Sequence, residues 1–371
     1  MAQAGAIVTE AGGPVTIVDD IEIDEPRTGE ALIELTAAGV CGSDLSLRDG
    51  KMANPMPLLL GHEATGRVVA LGPGTPGPAV GTRVILWMRP PCRACRMCRR
   101  GEGELCLTSG AMSARGTLLD GRTSSSSGGR PLHRALGIGA FTTRTNMPVT
   151  GLVEVPDSVP DDVAALLGCG VATGAGAVLN VARPTPGDVV LVIGGGGVGL
   201  AAAMTAAALG AGAIVVADPA EHRRAAALDL GATHVIPGGG ARVVRGQLKE
   251  AMGDTWVDIA IDAVGRPELV ELGFRIVRQG GTVVAVGVQA GDATVGLPGA
   301  QLATSHKRVV GCFMGGVEPH RDLPKLFALH QRGALPVERL VGRHRPLAEA
   351  AEALDDLAAA RGLRTVLDLQ A

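Results

Sequence analysis

The chain has 371 residues but no tyrosine, only four phenylalanines and two tryptophans. Its cores must therefore be built from Val, Leu, Ile and Ala, within an apolar fraction of 46%. The same scarcity removes the aromatic platforms on which single-stranded nucleic acid stacks. A formal charge of -3 adds no attraction toward a phosphate backbone, so no nucleic-acid partner is expected. Met1 to Glu10 lacks the basic and apolar regions of a secretory signal. The longest uncharged run, Val189 to Ala217, covers 29 residues and has the length of a bilayer span. Four consecutive glycines, Gly194 to Gly197, break it into a strand, a turn and an Ala-rich helix. The expectation is a cytoplasmic chain with no membrane partner.

What is present is cysteine, seven in all. Without a secretory signal, clustered cysteines favour thiolates and metal over disulfides. Cys92, Cys95, Cys98 and Cys106 follow the spacing Cys-x2-Cys-x2-Cys-x7-Cys. Four thiolates close a tetrahedral zinc site, which leaves no open position and makes its role structural. The lobe it pins runs over 88–110. Around it, Arg89, Arg93, Arg96, Arg99 and Arg100 read as a solvated surface.

Cys41, His62 and Cys169 are scattered, and each alone is unremarkable: a lone Cys is usually a small hydrophobe. Taken together they offer two thiolates and an imidazole, with a fourth position left for water or substrate. Asp44 and Glu63 lie beside ligands, where a carboxylate orients an imidazole; Glu63 is also a candidate ligand during substrate exchange. The seventh cysteine, Cys312, sits in an apolar run and reads as packing.

The texture of the chain changes twice. Short β-like runs such as Ala31–Leu35 and Arg67–Leu71, separated by Gly and Pro, fill the first 170 residues. From about Gly174, strands (Val189–Ile193, Ala213–Ala217, Val257–Ile261, Thr282–Val286) alternate with helical stretches, the pattern of a parallel sheet covered by helices. After about Gly316 come two helical stretches and a last strand, Arg364–Leu369, expected to rejoin the first domain. The expected domains are therefore 1–173 with 317–371, and 174–316. Thr123 to Gly129 is expected to be a flexible loop.

Gly194-Gly-Gly196-Gly197-Val198-Gly199 matches G-x-G-x-x-G, follows a β-branched strand and opens a helix. Its glycines allow a tight turn and close approach of a pyrophosphate to the helix N-terminus. Asp218 ends the next strand, where a carboxylate accepts from both ribose hydroxyls and repels a 2′-phosphate, favouring NAD over NADP. Arg223 and Arg224 soften that preference.

With these motifs in order, the chain resembles the zinc-containing medium-chain alcohol dehydrogenase family over nearly its full length. The residues that carry the resemblance are Cys41-Gly-Ser-Asp44, Gly61-His-Glu63, the four-cysteine lobe, Leu167-Gly-Cys-Gly170, Gly194–Leu200, Asp218 and Arg364-Thr-Val-Leu367. It implies an α/β fold: a doubly wound Rossmann sheet inserted in a split, mostly β, GroES-like catalytic domain. It further implies two zinc ions per chain, NAD, and interconversion of an alcohol with its aldehyde or ketone by hydride transfer. By position, Thr173 and Val198 would border the nicotinamide, Val286 and Val288 would bind the cofactor, Val288 also reaching the substrate pocket, and Arg364 would reach the pyrophosphate. Met52, Trp87, Met88 and Phe141 would line an apolar substrate pocket, and Ser43 would pass the alcohol's proton outward.

The long segment before Phe141, with Leu136-Gly-Ile-Gly-Ala-Phe141, is most similar to the bacterial branch of mycothiol-dependent formaldehyde and nitrosoaniline-dependent alcohol dehydrogenases. Arg115, Arg122, Arg130 and His133 would then be placed to receive an anionic thiol adduct. A homodimer through Leu297–Phe313 is expected. Gly42 and Ser46 depart from many relatives, which carry Arg or His at the former and some His at the latter. The competing expectation is a reductase of an activated C=C or iminium intermediate on the same scaffold; retention of Ser43 ranks it second.

Overall fold

The run Glu30–Gly39 alternates buried and half-buried side chains, as a strand between two layers should. It becomes an inner strand of a seven-stranded sheet in the computed structural model, which describes residues 2–371. Glu63–Leu71 pairs antiparallel along one of its edges. On the other edge, Arg144–Pro148 takes its first half and Arg364–Asp368 its second. The last strand of the chain thus closes onto one of the first. Ile33, Leu35, Val68, Val84 and Ile85 are fully buried here, an aliphatic core as the composition requires. A second, smaller sheet gathers Gln3–Val8, Thr16–Ile23, Leu58–Leu59 and short strands of the 125–134 segment.

That segment corrects one expectation. The Ser-rich stretch is not a loose loop: Ser125–Ser127 is a strand paired with Thr16–Ile23 and with Arg130–Pro131. Asp20 explains it, accepting from Ser127 Oγ at 2.6 Å and from Gly128 N at 2.8 Å.

The third sheet is wholly parallel, with strands in the order His234–Ile236, Ala213–Ala217, Val189–Ile193, Val257–Asp262, Val277–Ala285, Arg308–Gly311. The earliest strand lies inside and successive strands are added outward on either side, the doubly wound order. Val189–Ile193 is buried along its whole length, which is why it reads as an unbroken apolar run. Gly197–Ala208 follows it as a helix, so Val189 to Ala217 is a strand-helix-strand unit. Among the described residues no single helix is long and apolar enough to cross a membrane.

Two compact units result. The first holds the chain to Cys169 with Glu318–Phe327 and Val341–Ala371; the second holds Gly170–Val317 with Ala328–Leu340. The first junction thus falls a few residues before the expected 173, and the tail does not return to the first unit in one piece. Leu335, Val337 and Leu340 are fully buried, the turn Val337–Leu340 packs on the helix Gly197–Ala208, and Arg339 Nη1 donates to Asp229 O at 2.8 Å. Those apolar side chains hold 328–340 in the second unit.

Candidate active site and metal centres

Cys41 caps the helix Gly42–Arg48, and Asp44, in the first turn of that helix, is buried beneath it. The Asp44 carboxylate accepts from Cys41 N at 3.1 Å and Gly61 N at 3.2 Å, and holds His62 Nδ1 at 2.9 Å. One carboxylate therefore ties two separate ligand segments together. Gly61 is obligatory there: its φ is +89°, and a Cβ would lie 2.5 Å from Phe141 N. Cys169 arrives from the break between the helices Asp161–Leu167 and Gly170–Gly176.

The ligand atoms of Cys41, His62, Glu63 and Cys169 all lie within 4.8 Å of one another, and all four residues are buried. With Nδ1 held by Asp44, His62 Nε2 is buried and has no hydrogen-bond partner. A buried ring nitrogen set among two sulfurs without a partner is costly, and a cation bound there would satisfy it, so this donor set fits zinc. The electrostatics agree. The Cys169 thiol, bonding to Cys41, outweighs burial and with His62 holds Cys41 well below its usual pKa. The same bond, reinforced by burial, pushes Cys169 well above its own. Burial opposes charge on His62, yet Asp44 keeps its pKa well above the ordinary value.

Glu63 does not stand open to the pocket alone: Arg364 Nη2 donates to Glu63 Oε2. Arg364 is itself buried, and its Nε has no partner. Ser43 is half-buried on the first turn of the Cys41 helix. Trp87, Met88 and Phe141 are all buried, Met52 is half-buried, and Phe141 packs on Gly61 next to His62. The Trp87 Nε1 donor is buried without a partner.

In the lobe, Cys92 Sγ and Cys98 Sγ are 4.0 Å apart, and Cys95 Sγ and Cys106 Sγ 3.9 Å apart. Those are opposite edges of a tetrahedron, near the ~3.8 Å that Zn–S bonds of ~2.3 Å would set. Backbone N–H groups prepare the sulfurs: Cys92 N and Ser109 N approach Cys106 Sγ at 3.4 and 3.5 Å. The Cys98 and Leu107 amides pull Cys95 down to about 6, while burial and the Cys95 sulfur push Cys98 up to about 12. All four cysteines fit one zinc.

In the second unit, Gly194 turns at φ +103° and Gly196 caps the helix Gly197–Ala208 with no side-chain partner, leaving its first N–H groups for an anion. A Cβ on Gly199 would lie 1.8 Å from Gly194 O, so helix and turn approach as only glycine permits. Asp218 accepts from Gly195 N and Ala220 N, each at 2.8 Å. Arg223 Nη1 lies 3.7 Å from Asp218 Oδ2, whereas Arg224 is turned onto the Asp218 and Pro219 carbonyls. Thr173 lies on Gly170–Gly176 and Val198 on the Gly197–Ala208 helix; Val286 is buried, but Val288 is 67% exposed.

Sequence reasoning missed Asp262, fully buried at the end of its strand, which accepts from Val264 N and Gly265 N at 3.0 and 3.2 Å. A strand ending in Asp before Ala-Val-Gly was its available signal. Of the residues weighed for a thiol adduct, Arg122 is engaged by Asp24, Asp120 and Glu30, and the His133 ring meets the Arg115 carbonyl at 2.8 Å. A neighbouring surface cavity of about 760 Å³, lined by Arg27, Glu30, Asp120 and Pro148, holds none of the ligand residues.

A buried cysteine–histidine–cysteine pocket and a four-cysteine lobe, with a doubly wound parallel sheet in the same chain, fit a zinc-dependent dehydrogenase. Residues 27–157 match the alcohol dehydrogenase GroES-like domain and 197–332 the zinc-binding dehydrogenase domain. An NDMA-dependent alcohol dehydrogenase of Amycolatopsis methanolica is 33% identical over 99% of both chains. An alcohol dehydrogenase zinc-binding domain protein from Burkholderia ambifaria has a similar structure, with TM-score 0.93 and 32% identity over 100% of both chains. Benzyl alcohol dehydrogenase from Acinetobacter calcoaceticus superposes with TM-score 0.92 at 28% identity, over 100% of this chain and 99% of that one. The chain belongs to the zinc-binding alcohol dehydrogenase family and is an alcohol–carbonyl oxidoreductase.

Proposed function

We propose that the protein is a cytoplasmic NAD-dependent zinc alcohol dehydrogenase, a homodimer, that interconverts an apolar or aromatic alcohol with its aldehyde or ketone. The observation that carries this is the unpartnered His62 Nε2, buried among Cys41 and Cys169. Zinc held there supplies Lewis acidity that eases loss of an alcohol's proton or polarises a carbonyl, and NAD supplies the hydride acceptor.

The chain's own residues do the rest. Asp44 fixes the His62 tautomer, so that Nε2 keeps its lone pair. The Ser43 hydroxyl accepts the alcohol's proton as it releases its own toward solvent. The Arg364 guanidinium, beside Glu63, offsets the negative charge of the two thiolates. Asp218 turns its carboxylate to the adenosine ribose hydroxyls and disfavours a 2′-phosphate. Phe141, Met88 and Trp87 keep water from the reacting carbon, while Met52 borders the outer part of the pocket. That lining supports an aromatic or medium-length alcohol, and one structural relative is a benzyl alcohol dehydrogenase.

The test is a panel of benzyl and medium-chain alcohols followed by NADH absorbance, with NADP, an added thiol and NDMA as separate arms. Zinc of about two per chain and NAD-linked oxidation of benzyl alcohol are expected. Full activity in Cys41→Ser would sink the proposal.

A further inference from the structure

Behind Thr173 the helix of the second unit changes character. Gly170–Gly176 passes into a π-helical stretch, Ala177–Ala182, which ends at Arg183 in the left-handed region. π turns are uncommon and shift the side chains that follow around the helix axis. Here the displaced residue is Asn180, whose Nδ2 donates to Gly315 O and to Gly316 O, each at 3.2 Å. Facing two carbonyl oxygens, only the amide nitrogen can serve.

The turn it holds is unusual. Met314, Gly315 and Gly316 have φ of +46°, +69° and +59°, three left-handed residues in succession. Backbone contact is close as well: a Cβ on Gly315 would lie 2.7 Å from both Ala172 O and Thr173 O, and one on Gly176 would lie 2.5 Å from Gly315 O. The turn is thus locked to the helix that carries Thr173 by glycine packing together with the Asn180 hydrogen bonds.

Its place in the sheet gives this a purpose. The turn follows the strand Arg308–Gly311, whose ladder continues through Cys312 N to Ala285 O. All strands of this sheet are parallel, so the turn lies at the same edge as Gly194–Gly199 and Val286. Open parallel sheets take their ligands at that carboxyl edge.

We propose that Asn180 is a positioning residue for the cofactor: by holding the Met314–Gly316 turn against the Thr173 helix, it shapes the surface that receives the nicotinamide half. The inference rests on the NAD reading above. The adenosine half is held elsewhere, by the Gly194–Gly199 turn and Asp218, so the two halves can be tested apart. Calorimetry would give Kd for NADH and for ADP-ribose, which lacks the nicotinamide, in the wild type, Asn180→Ala and Asn180→Asp. Losing the donor should weaken NADH about tenfold in the alanine variant and more in the aspartate variant, whose carboxylate faces two carbonyls. ADP-ribose should bind unchanged, which also shows that the unit is folded. Equal weakening of both ligands, or of neither, would overturn the assignment. If the alanine variant does not fold, Asn180→Ser, which keeps one donor, gives the same comparison. A wild type that binds neither ligand would instead overturn the NAD reading beneath it.

Discussion

The two cysteine sites reach similar chemistry by opposite routes. The lobe collects four sulfurs from residues 92–106, through one helical turn and local amides. It has almost no apolar core of its own: Cys92, Cys95 and Cys98 are only half-buried. The other site draws Cys41, His62 and Cys169 from a helix cap, a residue preceding a strand and a helix break, and buries them all. A zinc ion held by the four sulfurs would give the lobe its shape. The buried site depends on the fold for its ligands, and its carboxylate brace, Asp44, does what neighbouring amides do in the lobe.

That contrast can be broken at either end. The largest effect is expected for His62→Ala: zinc near one per chain, and kcat/KM lower by on the order of 10³ or more, with the thermal midpoint little changed. Loss of lobe zinc instead of buried-site zinc in that variant would refute the assignment. Gly61→Ala should follow, because the new Cβ meets Phe141 backbone at 2.5 Å. Destabilisation by several kcal/mol, about 3 or more in a denaturant titration, is expected together with loss of the buried-site zinc.

Asp44→Asn keeps the shape but weakens the brace. Competition with a chromophoric chelator should show zinc held about 10–100-fold less tightly at one site only. Cys98→Ser sharpens the other half: one zinc lost and a lower thermal midpoint, while benzyl alcohol turnover well below that midpoint falls by less than about tenfold. Smallest of all should be Gly101→Ala in the lobe, where φ is +79° but no atom lies within 4 Å of the added Cβ. A cost of about 1 kcal/mol is expected, from backbone strain alone.

Much of the molecule was legible because its signals are local. Val189–Ile193, the glycine turn and the strand that leads to Asp218 announce a β-α-β unit of a doubly wound sheet by period and spacing. The four-cysteine lobe is equally local. The Ser-rich stretch misled because its order comes from Asp20, more than a hundred positions away, and no composition rule sees that bond. The return of 328–340 to the second unit has the same origin: Val337 and Leu340 are simply apolar until the helix Gly197–Ala208 gives them a surface. Asn180 was invisible for a third reason. A π turn depends on which side chains find partners, and Asn180 finds its own across the chain at Gly315 and Gly316.

By itself the sequence determined the chemistry available: which residues can be thiolates, which imidazole stands beside a carboxylate, where a phosphate can meet a helix. Spacing made the lobe a site before any folding was considered, since loops of two and seven residues need little closure entropy. Only the tertiary structure decided that Cys41, His62 and Cys169 share a pocket. It also decided that Asp44 takes His62 Nδ1 and leaves Nε2, and that Arg364 lies on Glu63. The reason is physical. Ligands this far apart in the chain meet only when burial of the strands and helices around them compensates the entropy of bringing them together.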